Sequence, residues 1–297
     1  MLNDIEIVFW PVAMDIKYDD LQKLPELDAS IVSGSIRNEE NEHITRTLRN
    51  KSRYLVSFGS CACEGGTLGL ANLSSREEIL KTIYDEGPTN NNPHRKRPSK
   101  IFQVDEGVLK LPALAELNRP IDRVVKVDYY LSGCPPPIEL IVELFKKMVI
   151  GNLPKPGSYI GPNKSVCDEC DRQKVSGTVK SIDRYYRVNT DPNKCFLEQR
   201  ILCMGPATRG GCGAKCPQAN ASCTGCGGRL SVLDQGARMI GALGSLLPTD
   251  DQDMMKLLEG LRDPVGSLYR YSLSASLIEK GVGFVKGKGK NDNRERK

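Results

Sequence analysis

Short apolar runs alternate with amphipathic stretches along the first half of the chain. Four apolar runs predict strands at 5–10, 29–36, 53–60 and 123–133. Three stretches with helical periodicity predict helices near 40–50, 75–85 and 137–150. Strands that alternate with helices are typical of a parallel sheet covered by helices, so residues 1–150 are predicted to form an α/β domain.

The composition changes after Gly151. Proline, glycine, asparagine and cysteine replace the long apolar runs, as expected where metal clusters rather than side chains fill the core. A helical stretch follows at about 232–262. We predict three parts, an α/β domain at 1–150, a loop-rich domain at 151–285 and a disordered basic tail at 286–297.

Charge and hydropathy limit the classes of partner. The net charge is +5, but the basic residues form no stripe interleaved with aromatic ones, so nucleic acid is not a predicted partner. No apolar run is long enough to span a bilayer. The first residues, MLNDIEIVFW, lack the basic region and the cleavage site of a signal peptide. We therefore expect a cytoplasmic protein that does not bind a membrane.

The chain contains eleven cysteines, an unusual number for its length. A reducing compartment and an odd count argue against a disulfide framework and favour metal or redox chemistry. Two cysteines follow predicted strands, Cys61 in GSCACEGG and Cys134 in SGCPPP. Open parallel sheets bind ligands beyond the carboxyl ends of their strands, so Cys61 and Cys134 are expected to converge on one site.

Eight further cysteines form two sets of four by their spacing. They are Cys167, Cys170, Cys195, Cys203, Cys212, Cys216, Cys223 and Cys226. Zinc accepts two sets of four thiolates, and C-x2-C pairs are common in zinc sites. Glycine and proline in GGCGAKCP and CTGCGG favour iron-sulfur clusters, because small residues let backbone N–H groups approach the sulfurs. The residues alone leave both metals open, with iron-sulfur favoured.

Three stretches carry a family resemblance: GSCACEGG, SGCPPP and CFLEQRILCMGPATRGGCGAKCPQANASCTGCGG. From about residue 5 to 270 the chain resembles the small subunit of cytoplasmic nickel-iron hydrogenases of the methyl-viologen-reducing, F420-non-reducing type. The resemblance implies a flavodoxin-like parallel sheet domain followed by a loop-rich iron-sulfur domain. It also implies electron transfer from H2 oxidation, through iron-sulfur clusters, to an iron-sulfur adaptor subunit and heterodisulfide reductase. The hydrogen-activating site would lie on the partner large subunit, and this chain would carry no catalytic residue.

The resemblance also implies a role for each cysteine. Cys61 and Cys134 match ligands of the proximal cluster. The distal set comprises Cys167, Cys170, Cys195 and Cys203, and the medial set comprises Cys212, Cys216, Cys223 and Cys226. We expect a 4Fe-4S cluster at each complete set. Many relatives have a histidine where Cys167 stands, and His43 and His94 are interpreted as ordinary surface residues. Cys63 matches no ligand and is expected to be a small buried residue.

One departure from the family concerns the proximal site. Relatives begin with a strand and a C-x-G-C loop that supplies two more proximal ligands, whereas only four residues precede IEIVFW here. The missing piece would be roughly thirty residues, about one strand-loop-helix unit. In the order 2-1-3-4-5 its strand would lie inside the sheet, so its loss would expose two edges and leave the proximal cluster with half its ligands. Either the start codon is placed too late, or another polypeptide completes the site, or the protein has lost its proximal cluster, and we favour the first.

Two functions other than electron transfer in an F420-non-reducing hydrogenase are also consistent with the sequence. One is the small subunit of a hydrogenase that reduces the deazaflavin coenzyme F420, although the ferredoxin-like extension of that type is absent from this sequence. The other is an assembly scaffold stabilised by zinc or by clusters that transfers no electrons. Bound iron-sulfur clusters would absorb at about 400 nm, whereas a zinc protein would be colourless.

Overall fold

The structure is a computed structural model that describes residues 4–175, 177–179, 181–230, 234–246 and 251–277. In chain order the strands β1–β8 of these residues are Leu27–Ser33, Ile36–Asn38, Ser52–Phe58, Ile101–Val104, Gly107–Lys110, Leu114–Arg119, Tyr129–Leu131 and Ser158–Tyr159. The helices α1–α8 are Glu39–Lys51, Gly59–Glu64, Arg76–Tyr84, Ile138–Ile150, Lys215–Gln218, Gln235–Gly244, Asp251–Gly260 and Pro264–Leu268. Four strands form a parallel sheet in the order β1-β3-β7-β8. The predicted α/β class is confirmed.

The predicted helices of the first half form close to their predicted ends, as α1, α3 and α4. Helix α3 begins after Ser75, which shares a capping box with Glu78. Helix α4 begins after Pro137 and ends at Gly151, which adopts the left-handed conformation with φ of 76°. These residues satisfy backbone groups that a helix end leaves unpaired, so local chemistry sets the ends.

Apolar side chains cover both faces of the parallel sheet. On one face Leu144 of α4 packs against Val56 and Leu131. On the other face Ala62 of α2 packs against Leu55. All five side chains are fully buried. Successive residues of β3 therefore point to opposite faces, and both faces are apolar, as expected for a sheet covered on each side.

The apolar run at 5–10 is not a strand, and that prediction is wrong. Residues 5–10 form no ladder with any described strand, and β1 lies at the edge of the described sheet. Ile7 and Trp10 are each about half exposed, at 56% and 51%. A strand is stable only when a neighbour pairs with its backbone groups, and hydrophobicity alone cannot replace that neighbour.

The run at 123–133 is strand only over β7. Ile121–Arg123 form a 3-10 turn, and the Asp128 carboxylate accepts the N–H of Leu55 at 2.9 Å from the neighbouring strand. Antiparallel pieces that the pattern did not predict are the pair β2 with β6 and the hairpin of β4 with β5. Phe102 and Leu109 of this hairpin stay 61% and 57% exposed, so it lacks the buried face on which pattern analysis depends.

Loops and short helices dominate the second half. The helical stretch predicted at 232–262 corresponds to α6 and α7 as separate helices, and residues 231–233 and 247–250 lie outside the described residues. Phe196, Met239 and Leu268 belong to one apolar cluster that also includes Cys203 and Cys223. The predicted basic tail at 286–297 lies outside the described residues. No helix of the described part is long and apolar enough to cross a membrane.

Candidate iron-sulfur sites

Cys61 and Cys134 lie next to each other at the carboxyl ends of β3 and β7. Helix α2 starts where β3 ends, and the Ser60 N–H donates to the carbonyl oxygen of Gly133 at 2.8 Å, joining the two cysteine loops. Burial raises the pKa of Cys61, and the neighbouring Cys134 raises it further. A Cβ atom on Gly66 would lie 2.5 Å from Cys61 Sγ, so glycine leaves space around this sulfur. The structure thus brings together the two cysteines predicted to share a site.

The four cysteines of the distal set also converge. Burial raises the pKa of Cys167 to about 12, and the neighbouring thiols that raise it are Cys203, Cys195 and Cys170. A Cβ atom on Gly205 would lie 2.9 Å from the sulfur of Cys167 and 3.7 Å from that of Cys203. Both sulfurs therefore lie next to one glycine, and the other three thiols of the set are close enough to raise the pKa of Cys167.

The medial set lies between the other two sites. Burial raises the pKa of Cys226, and its neighbouring thiols that raise it are Cys212, Cys216 and Cys134. Burial likewise raises the pKa of Cys223, and the nearby Cys203 thiol adds to it. Cys226 thus neighbours the proximal cysteine Cys134, whereas Cys223 neighbours the distal cysteine Cys203. This arrangement orders the sites as proximal, medial and distal.

Backbone N–H groups point at the buried sulfurs. The Cys223 N–H donates to Cys203 Sγ at 3.4 Å, and the Gly205 N–H also lowers the pKa of Cys203 against the effect of burial. The Cys134 N–H acts in the same way on Cys226. A buried thiol ionises with difficulty until a metal cation stabilises the thiolate, and N–H donors around the sulfurs are what an iron-sulfur cluster requires.

Other candidate ligands stand apart from these sites. His43 and His94 are exposed, as predicted. Cys63 is fully buried, and its thiol donates to the carbonyl oxygen of Ser57 at 3.3 Å, which confirms its interpretation as a packed core residue. Among the described residues, no three His, Cys, Asp or Glu side chains lie close enough together to hold one metal ion.

Arg172 joins the distal and medial loops, and sequence analysis missed it. Its guanidinium donates to the carbonyl oxygens of Pro217 at 3.0 and 3.1 Å, and of Asp191 and Lys194 at 2.9 Å each. It also lies 3.9 Å from the centre of the Phe196 ring. Its hydrogen-bond partners are 19 to 48 residues away in sequence, so no local pattern could indicate this role.

Arg172→Ala should lower the free energy of unfolding by at least about 3 kcal/mol, because several carbonyl groups lose a charged donor at once. Denaturant unfolding of the metal-loaded protein measures this loss. The exposed arginine Arg184 provides the control, and Arg184→Ala should change stability by less than about 0.5 kcal/mol. Equal effects of the two substitutions would contradict a structural role for Arg172.

Gly205→Ala should expel iron from the distal set, since the added methyl group would lie 2.9 Å from Cys167 Sγ. Gly241 lies inside α6 with nothing within 4 Å of a Cβ atom there. Gly241→Ala should therefore keep all iron and stabilise the protein by about 0.5–1 kcal/mol. Iron analysis and unfolding of the two variants test this, and full iron content in Gly205→Ala would contradict the placement of the distal site.

Comparison with known proteins defines the class to which the chain belongs. Residues 1–148 match the family described as NADH ubiquinone oxidoreductase, 20 Kd subunit. Together with its hydrogenase relatives, this match identifies the chain as a component of an oxidoreductase complex.

Relatives identify the family more closely. Over 288 residues the chain is 40% identical to the iron-sulfur subunit of the F420-non-reducing hydrogenase of Archaeoglobus profundus, covering 94% of this chain and 89% of that protein. It is 36% identical over 282 residues to the corresponding subunit of the F420-non-reducing hydrogenase of Methanocaldococcus jannaschii, covering 94% and 88%. A solved NAD+-reducing NiFe-hydrogenase in the H2-reduced state aligns at 32% identity with 44% of this chain and 68% of that chain, with a TM-score of 0.39.

The chain belongs to the family of iron-sulfur subunits of F420-non-reducing hydrogenases, which are the small subunits of these enzymes. Its partner is therefore a hydrogenase large subunit, and family membership with eleven cysteines indicates iron-sulfur clusters as its cofactors. The resemblance deduced from the cysteine motifs is confirmed.

Proposed function

We propose that this chain conducts electrons from H2 oxidation in the large subunit through a series of 4Fe-4S clusters in the cytoplasm. One observation carries the proposal, the position of the medial set between the other two sites. Cys226 neighbours Cys134 on one side, and Cys223 neighbours Cys203 on the other. Clusters held by adjacent cysteines form a continuous path along which an electron can move in short steps.

The donor sets support two complete cubanes. The distal ligands would be Cys167, Cys170, Cys195 and Cys203, and the medial ligands would be Cys212, Cys216, Cys223 and Cys226. Each set supplies the four thiolates that a 4Fe-4S cluster takes. When bound, the clusters supply one-electron redox chemistry. Cys203 and Cys223 are buried, and backbone N–H groups point at the sulfurs of Cys203 and Cys226. Burial and hydrogen bonds of this kind tune the reduction potential of a cluster.

The proximal site has two ligands in this chain, Cys61 and Cys134. A cubane takes four, and Cys63 is turned into the core, so a third cluster forms only if two more ligands complete the site. Exposed apolar side chains follow both cysteines, with Leu68 at 42%, Leu73 at 51% and Ile138 at 61% exposure. A protein interface would cover such exposed apolar side chains near the two cysteines, which supports docking of the large subunit here.

Electrons would leave at the distal end, toward an iron-sulfur adaptor subunit and heterodisulfide reductase. The names of the relatives support this type of hydrogenase over the F420-reducing alternative, since both are described as F420-non-reducing. The metal content of the purified protein distinguishes the proposed electron-transfer function from that of a zinc-stabilised scaffold.

Metal analysis of the full chain tests the proposal. Purified without oxygen, it should contain about eight iron atoms and as many sulfides in its two complete sites, and it should absorb at about 400 nm. Two zinc atoms without sulfide would overturn the proposal in favour of the scaffold.

A further inference from the structure

A group of unpartnered polar atoms lies behind the loop of Cys61. Within the described residues, four buried side-chain oxygens there have no hydrogen-bond partner, and they are Ser57 Oγ, Glu64 Oε2, Asp122 Oδ1 and Ser132 Oγ. Glu64 and Ser57 are fully buried. Nearly all buried polar groups in proteins are hydrogen-bonded, so four such atoms in one region require an explanation.

Sheet register places these residues along one face. Ser57, Tyr130 and Tyr159 are register partners across β3, β7 and β8. The rings of Tyr130 and Tyr159 stack with centroids 4.9 Å apart. The Tyr159 hydroxyl donates to Glu64 Oε1 at 2.7 Å. The Glu64 side chain of α2 therefore lies beside these three register partners.

Gly228 lies between Ser132 and Glu64. A Cβ atom on Gly228 would lie 2.9 Å from Ser132 Oγ and 3.1 Å from Glu64 Oε1. Glycine at this position therefore lets the Ser132 hydroxyl and the Glu64 carboxyl group lie close to the backbone. We call the region bordered by Ser57, Glu64, Asp122 and Ser132 the polar chamber.

The Arg229 guanidinium lies near two carboxyl groups at the polar chamber. Arg229 Nε lies 3.4 Å from Glu64 Oε1, and its terminal nitrogen lies 3.7 Å from Asp122 Oδ2. The Tyr130 hydroxyl donates to Asp122 Oδ2 at 3.3 Å. Each carboxyl group therefore uses one oxygen for protein partners and leaves the other without one.

The chamber connects the interior to the surface. The Glu64 side chain is fully buried, whereas the side chains of Asp122 and Arg229 are 22% and 25% exposed. A buried oxygen without any partner costs free energy that a bound water molecule removes, and such a water needs two to four polar partners. The four unpartnered oxygens supply partners of this kind.

We propose that the polar chamber binds water and that Glu64 exchanges its proton with solvent through this water and the Asp122 carboxyl group. Glu64 follows Cys61 by three residues on α2, about one helical turn. The helix that carries the proximal cysteine would then contain an internal proton acceptor. This exchange requires no bound cluster.

Burial raises the pKa of Glu64 above its ordinary value, although Arg229 and the Tyr159 hydrogen bond lower it. A raised pKa means that Glu64 holds its proton at pH values at which exposed glutamates have lost theirs. The titratable and charged groups that face Glu64 are Cys63, Asp122, Tyr159, Arg209 and Arg229, and Tyr130 faces the neighbouring Asp122.

Infrared spectroscopy of the full chain, assembled with its large subunit, tests the proposal. As the pH rises, a protonated carboxyl band that Glu64→Gln removes should persist to higher pH than the bands of exposed carboxyl groups. On transfer to D2O this band should shift within the mixing time. Asp122→Asn should slow the shift at least about tenfold, because exchange would then require local opening of the structure.

Two serine variants complete the test. Ser57→Ala removes a chamber hydroxyl and should lower the denaturation midpoint, because the bound water loses one of its hydrogen-bond partners. In a dry chamber the same change would raise the midpoint, because it removes an unsatisfied buried group. Ser272 also has an unpartnered hydroxyl but is not among the residues that border the chamber, so Ser272→Ala should leave the exchange of Glu64 unchanged. A raised midpoint for Ser57→Ala, or slow exchange that Asp122→Asn does not alter, would overturn the proposal.

Discussion

Cys167→Ser and Cys223→Ser are each expected to remove or convert one cluster, with a loss of up to about four iron atoms per chain. A serine oxygen is a harder and less suitable ligand for iron than a thiolate sulfur. Cys63→Ser is the matched control, because it makes the same chemical change at a cysteine that packs in the core. It should leave the iron content nearly unchanged.

Iron and sulfide analysis together with electron paramagnetic resonance of the three variants measures this effect. Cys167 belongs to the distal set and Cys223 to the medial set, so each variant should lose the signal of a different cluster. Equal iron loss from all three variants would show that Cys63 has been placed wrongly. Loss of both clusters in each single variant would show that the two sets do not form independent sites.

The second large effect is expected from Cys170→Ala, which removes a ligand from the distal set. In the assembled complex with a completed proximal site, H2 should still reduce the medial cluster, while electron delivery to the protein acceptor should fall close to background. Hydrogen-isotope exchange by the large subunit should be unchanged, because that reaction precedes electron transfer along this chain.

The medial variant Cys223→Ser should stop electrons one step earlier and leave the distal cluster oxidised under H2. Stopped-flow absorbance and rapid-freeze spectroscopy distinguish the two positions. Unchanged delivery to the acceptor in both variants would contradict the order that the positions of Cys226 and Cys223 indicate.

Local signals in the sequence predicted the parts of the fold that depend on local chemistry. Helix α3 begins after Ser75 with Glu78 three residues later, and α4 follows three prolines, so sequence neighbours alone determine these ends. The family resemblance assigned the cysteines to their sets, and thiols of each set are neighbours in the structure. The helix ends rest on residues close together in the chain, whereas the cysteine sets do not.

Contacts between distant residues could not be predicted in this way. Residues 5–10 have the composition of a strand, but a strand also needs a neighbour, and the pattern does not show whether one is present. Arg172 and Glu64 have the side chains of surface residues, yet 7% and none of their surfaces are exposed. Their partners come from remote loops, so only the folded chain shows their roles.

Exposure of the assembled complex to H2 tests electron transfer most directly. With the large subunit bound and the proximal site completed to four ligands, H2 should bleach the absorbance of this chain's clusters at about 400 nm, and air-free addition of an oxidised viologen should restore it. Without the large subunit the same clusters should respond to dithionite but not to H2. The account would be contradicted if the clusters stayed oxidised under H2 while the bound large subunit catalysed isotope exchange and dithionite still reduced them.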